Sequence, residues 1–339
     1  MSNSKAANCI DIAKLFFAYC VVAIHTQAFM QGDAVFVANY ITGFAVPFFM
    51  VCSGFFLGAK ISCCSSLETY RKILRQYCQR LLHPYFVWGI LYFVLSIASD
   101  VVMDKQEVVS SLIYHVHYWL VSSPGGGLWY VQTLIILCCL LMLTNKSWYH
   151  KLLTCVLIAG NFVYLLMSEG RITSEWFAKL HEGYYSMFLT NCNALVSGAP
   201  FLLGFLLAKN WKQKKPLYMG IGAFTIWGIY VLINITNWYG KSILMSIIEM
   251  FFVVVLFCFL LSTKASYSHQ FSIVMRKMST IIYFTHFSAI YAVKVLFQLL
   301  DVNGNNRSML LFFVTSLVLT LYSLIIIRMN KKQIMKAYF

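Results

Sequence analysis

Apolar stretches of about 20 residues recur from one end of this 339-residue chain to the other. That is the length a helix needs to cross a hydrocarbon core of ~30 Å. The stretches are continuously apolar rather than alternating, and a barrel strand needs only about ten residues, so strands are a poor alternative. The composition agrees, with 60% hydrophobic and 11% charged residues, where a soluble domain carries roughly 25% charged. The expected fold is all-α and polytopic, with about ten transmembrane helices at 10–30, 35–57, 84–101, 128–144, 152–168, 194–208, 217–236, 243–262, 279–299 and 309–328. The chain is read as a single membrane-embedded domain, 1–339, without an internal repeat. The first apolar run is long and lacks a strong basic leader, so a cleavable signal peptide is not expected.

On this topology 19 of the 26 Lys and Arg residues fall on the side of the N-terminus and 5 on the other, with Lys14 and Lys294 inside spans. The positive-inside bias therefore places both termini in the cytoplasm. The formal charge of +15 suggests nucleic acid at first sight. Because the charges sit in short loops at span ends, they read instead as a face that meets anionic membrane lipid. No nucleic-acid partner is expected.

Of the eleven cysteines, all but Cys192 fall in spans or on the cytoplasmic side, which argues against a disulfide framework. Cys63–Cys64 and Cys138–Cys139 lack metal-site spacing and read as small hydrophobes. No metal is expected. Three connecting segments are long. Residues 58–83 contain a basic amphipathic helix that runs into the third span, with Pro84 at that span's first turn, where a missing N–H costs little. Residues 102–127 read as an interfacial helix followed by a glycine-rich turn. Residues 169–193, on the outer side, are rich in Tyr, Glu and Asn.

Ionisable groups inside spans cost about 2.5–3.5 kcal/mol each to insert and are functional candidates by default. They are Asp11, Lys14, His25, Glu249, His286 and Lys294. Lys14 and His25 are eleven residues apart, which returns to within about 20° of one helix face and separates them by ~16 Å. Asp11 lies one turn below Lys14, close enough to pair with it. His25 either does proton chemistry, as imidazole suits near neutral pH, or bonds a neighbouring helix. Lys14 either binds phosphate or snorkels to the interface. His286 reads as a helix–helix hydrogen bond, and Glu249 as half of an ion pair. Lys294 reads as a snorkelling residue. Ser53 and Gly54 form a small-residue patch suited to close helix packing.

The order of these features resembles the acyltransferase-3 family of membrane acyltransferases along essentially the whole chain. The resemblance rests on "CIDIAKLFFAYCVVAIH" in the first span, "GFAVPFFMVCSGFFL" in the second, "QRLLHPYFVW" at the start of the third, "LWYVQTL" at the start of the fourth and "STIIYFTHF" in the ninth. It implies transfer of an acyl group, usually acetyl, from acetyl-CoA to a hydroxyl of a lipid-linked or cell-surface saccharide, at the cytoplasmic (inner) membrane of a bacterial cell. On the matching positions it implies His25, Asp11 and Lys14 as the catalytic set. Lys14, Arg75 and Arg80 would meet the CoA phosphates, and Ser53, Trp129 and His286 the substrate. The chain departs from the family at Tyr77, where an arginine often stands three residues before Arg80. Lys14 stands where many members have Arg, which keeps the charge but loses the bidentate fork. His25 would act as general base, or carry the acyl group transiently. The competing function is a proton-coupled transporter of a small polar solute. Against it stand the lack of a repeat and of paired Gly/Pro-broken spans.

Overall fold

The computed structural model describes residues 4–29, 41–64, 66–102, 107–121, 123, 127–168, 175–188, 193–211, 215–235, 241–263, 268–302, 304, 307–329 and 338. The described residues are helical almost throughout. The helices are α1 (Ser4–Thr26), α2 (Ala45–Ile61, preceded by a 3-10 turn at Thr42–Phe44), α3 (Leu67–Val102), α4 (Val108–Val121), α5 (Trp129–Leu141), α6 (Ser147–Ser168) and α7 (Glu175–Phe188). They continue as α8 (Ala194–Ser197), α9 (Ala199–Asn210), α10 (Pro216–Ile235), α11 (Lys241–Ser262), α12 (His269–Leu299) and α13 (Arg307–Met329). This is a polytopic all-α membrane protein.

Among the described residues, eight helices are long and apolar enough to cross a membrane. The expected fourth and sixth spans correspond to α5 and α9, of 13 and 12 residues. At 1.5 Å per residue each extends only about 20 Å, short of a full crossing. Residues 30–40, at the start of the expected second span, lie outside the described residues.

Two readings of local structure are corrected. Pro84 does not open a helix but lies inside α3, a continuous helix of 36 residues. Its missing N–H removes the bond to the Arg80 carbonyl within that helix. In segment 169–193, read only as a loop, Glu175–Phe188 is helical. The interfacial helix of segment 102–127 is present as α4, and Gly127 takes a left-handed φ of 64° that leads the chain into α5.

The chain divides into two compact units. The first comprises Met1–Phe49, Lys212–Lys241 and Met245–Tyr338; the second comprises Met50–Trp211 with Ser242–Leu244. In the first, α1 packs along α12 and α13. Ala18 and Val22, one turn apart on α1, bury against Ile282 and Leu319, and the Tyr19 hydroxyl hydrogen-bonds Thr320 Oγ1 at 2.6 Å. In lipid the drive for helix association is close packing and interhelical hydrogen bonding, because the acyl chains are as apolar as leucine. Ser268 caps α12 by accepting from the Phe271 N–H, and Pro216 opens α10 where no N–H is needed.

In the second unit, small residues let α2 and α9 touch backbone to backbone. A Cβ on Gly54 would fall 1.8 Å from the Phe201 carbonyl oxygen, and one on Gly204 would fall 2.2 Å from that of Val51. The packing role read for Gly54 is thus borne out. Its neighbour Ser53 instead hydrogen-bonds the Tyr130 hydroxyl at 2.7 Å.

Candidate active site

His25 ends α1 and His286 sits in the middle of α12. The packing of these two helices brings the imidazoles to 5.3 Å between centroids, tilted by 31°. Phe287 packs on both, at 4.4 Å from His25 and 4.6 Å from His286. His286 is buried, at 1% exposure. Its Nδ1 lies 2.6 Å from the Tyr283 carbonyl oxygen, so Nδ1 carries the proton and donates. A neutral ring then presents a bare lone pair at Nε2. Nε2 is buried and meets no hydrogen-bond partner among the described residues. The hydrogen bond of His286 is thus made within its own helix, not across to another.

His25 faces a polar cavity of about 240 Å³. Gln27 lines it just past the end of α1, Lys294 and Gln298 line it from α12, and Arg307 and Ser308 line it from the start of α13. A second cavity of the same unit, about 360 Å³, is walled by apolar side chains such as Phe16, Phe44, Phe224 and Phe259. It is larger but contains nothing that moves a proton. The polar cavity is the candidate site, because an imidazole and hydrogen-bonding groups converge there.

A family model described as an acyltransferase domain matches residues 8–329. The chain belongs to the acyltransferase-3 family. In the first unit His25 and His286 are the histidines whose rings lie together. Part of this chain is also similar to an amino-acid racemase of Enterococcus faecalis, 32% identical over 131 residues. That match covers 35% of this chain and 18% of the racemase, so the chain spans under a fifth of the length of that relative. No solved structure matches the chain.

The remaining candidates sort by unit. Asp11 is on α1 with His25, but 14 residues before it, about 21 Å along the helix. It does not join the imidazole cluster. Its buried carboxylate accepts a 2.5 Å hydrogen bond from Ser272 Oγ, which ties α1 to the first turn of α12. Lys14, half-buried, lies between Asp11 and His25 on the same uninterrupted helix.

Arg75, Arg80, Ser53 and Trp129 all belong to the second unit. Arg75 and Arg80 are exposed on α3, and the Arg80 guanidinium stands 5.9 Å from the Tyr77 ring centroid. Arg71, also exposed on α3, has another task. Its Nε donates to the Met142 carbonyl at 2.8 Å and its NH2 to that of Leu143 at 3.2 Å. It thereby caps the C-terminus of α5, where unsatisfied carbonyls favour a cation. Trp129 is half-buried at the first turn of α5, next to the Tyr130 that holds Ser53.

Sequence reasoning missed several groups. Lys294, read as snorkelling, lines the His25 cavity together with Gln298 and Arg307. A signal was available, since Lys294 and Gln298 are spaced i, i+4 and share a face. His150 was not singled out, yet it is fully buried. Its Nδ1 meets Lys209 Nζ at 3.2 Å, while Nε2 meets both the Tyr70 hydroxyl and the Thr144 carbonyl at 3.1 Å. This network joins α3, α6 and α9, and position alone on the sequence carries no sign of it. Cys63, Cys64, Cys138 and Cys139 are free thiols, and only Cys138 among them is buried. Cys192 lies outside the described residues.

Proposed function

We propose that this membrane acyltransferase moves an acyl group, acetyl in the simplest case, from acetyl-CoA to a hydroxyl of a lipid-linked or cell-surface saccharide. What supports this reading most is the paired imidazole of His25 and His286 beside a polar cavity, in a chain of this family. The acceptor hydroxyl gives its proton to His25 as its oxygen attacks the thioester carbonyl carbon. The carbon–sulfur bond breaks, and the departing thiolate takes the proton back from the imidazolium, leaving an O-acyl ester and free CoA. His286, buried against His25 and outside the cavity lining, helps to hold the base in position. A transient acyl group on His25 is the alternative route to the same products.

CoA is anionic and approaches from the cytoplasm, where the positive-inside pattern places the N-terminal side of the protein. Lys14 supplies a cationic group for its phosphates, and Arg75 and Arg80, exposed on the second unit, add positive charge that attracts them. Arg75 and Arg80 are five residues apart, about 140° around α3, so they suit separate phosphates better than one shared phosphate. The protein acts in the inner membrane of a bacterial cell. Purified protein supplied with acetyl-CoA should release free thiol, faster when a saccharide acceptor is present. Absence of thiol release, with labelled solute crossing vesicles instead, would replace this reading with a carrier.

A further inference from the structure

We infer that the acceptor bound beside His25 is an anionic saccharide, one whose acylated sugar ring bears a carboxylate or phosphate, and that Lys294 and Arg307 hold that charge. This rests on the acyltransferase reading above and adds the class of acceptor. Two cationic side chains line the same small cavity as the imidazole, and among the described residues no Asp or Glu lines it with them. Lys294 is exposed and Arg307 opens α13, so both cations can reach an anion that enters the cavity. Cation-to-anion hydrogen bonds are roughly twice as strong as neutral ones, and Arg offers a planar fork matched to carboxylate or phosphate. Gln27, Gln298 and Ser308 add neutral hydrogen-bonding groups of the kind that hold sugar hydroxyls.

Size narrows the choice further. At about 240 Å³ the cavity is smaller than the roughly 300–1,000 Å³ of sites that engulf drug-sized ligands. It suits one charged sugar ring, with the remainder of a longer glycan outside. Gln27 takes a left-handed φ of 54° as the cap of α1, with the Ala28 N–H bonded to the Ala23 carbonyl, and this cap sets Gln27 at the rim. The cavity lies at the end of α1 opposite Lys14, three helical turns away, so the anion it meets is separate from the CoA phosphates assigned to Lys14.

The test needs no turnover in its first arm. Thermal unfolding of the purified protein in detergent is followed with glucose, glucuronate, glucose 1-phosphate, glycerol 3-phosphate or CoA added. Glucuronate or glucose 1-phosphate should raise the midpoint while glucose does not, and Lys294→Met with Arg307→Met should remove that rise. The conservative pair Lys294→Arg and Arg307→Lys should keep it, which separates loss of charge from loss of fold.

In the second arm, thiol release from acetyl-CoA should show a KM for the charged sugar that increases about tenfold in the Met variants, as expected for one lost charge-assisted contact. The KM for acetyl-CoA should stay unchanged. Equal behaviour of glucose and the charged sugars would overturn the inference. So would protection by glycerol 3-phosphate equal to that by glucose 1-phosphate, which would mark a lipid-headgroup site, or a rise with CoA that the Met variants abolish. If thiol is released but these charge effects are missing, only the acceptor class fails. If no acceptor elicits thiol release, the acyltransferase reading itself fails.

Discussion

The rings of His25 and His286 stand 5.3 Å apart although they come from helices at opposite ends of the chain. Because α1 packs along α12, two side chains that carry little meaning separately become one site. Each imidazole sits against the same phenyl ring of Phe287, which limits the rotamers open to both.

If the pair works as a unit, His25→Ala and His286→Ala should each lower thiol release by about 10²–10⁴-fold, the range for a lost general acid–base group. The double variant should be hardly worse than either single one, since residues acting together are strongly non-additive. The check is single-turnover thiol release from acetyl-CoA, with unfolding midpoints showing that all variants are folded.

Removing one partner of the Asp11–Ser272 hydrogen bond leaves the other buried and unsatisfied. Ser272→Ala should therefore cost about 1–3 kcal/mol of stability, read as a lower unfolding midpoint in detergent. Asp11 lies some 21 Å from His25 along α1, so the rate per folded molecule should fall much less than for His25→Ala. A loss of rate equal to that of His25→Ala, with the midpoint unchanged, would assign Asp11 to the chemistry instead.

Gly54→Ala places a methyl group where the Phe201 carbonyl already lies. The helices α2 and α9 must separate, and overpacking of this kind costs typically about 1–3 kcal/mol. Gly43→Ala is the control, because a Cβ there meets nothing within 4 Å. Comparison of the two unfolding midpoints checks the prediction.

The arginines of α3 should divide by task. Arg71→Ala removes the cap on α5 and should lower stability by about 0.5–2 kcal/mol, with a small effect on the KM for acetyl-CoA. Arg80→Met, and equally Lys14→Met, should raise that KM while leaving the KM for the acceptor alone. Steady-state kinetics with each substrate varied in turn separates these outcomes. Equal changes in both KM values would show that the two residues are not specific to the donor.

What this protein owes to its sequence alone is its solvent and its periodicity. Continuous apolar runs at bilayer length admit only helices, and a lone ionisable group within such a run is costly enough to stand out. Hence His25, His286, Asp11 and Lys14 were legible as candidates, and Gly54 as a packing residue. Helix ends were less legible: amphipathic segment and span merge into the single helix α3, and Pro84 does not interrupt it. Tertiary structure alone decided which candidates meet. It turned Asp11 to Ser272 and Arg71 to the carbonyls of Met142 and Leu143, and it made the snorkelling Lys294 and the loop residue Arg307 walls of the His25 cavity. The physical reason is that periodicity assigns a residue to a face of its own helix. Which neighbour that face meets is set by the packing of helices distant in the chain, and no local pattern encodes it.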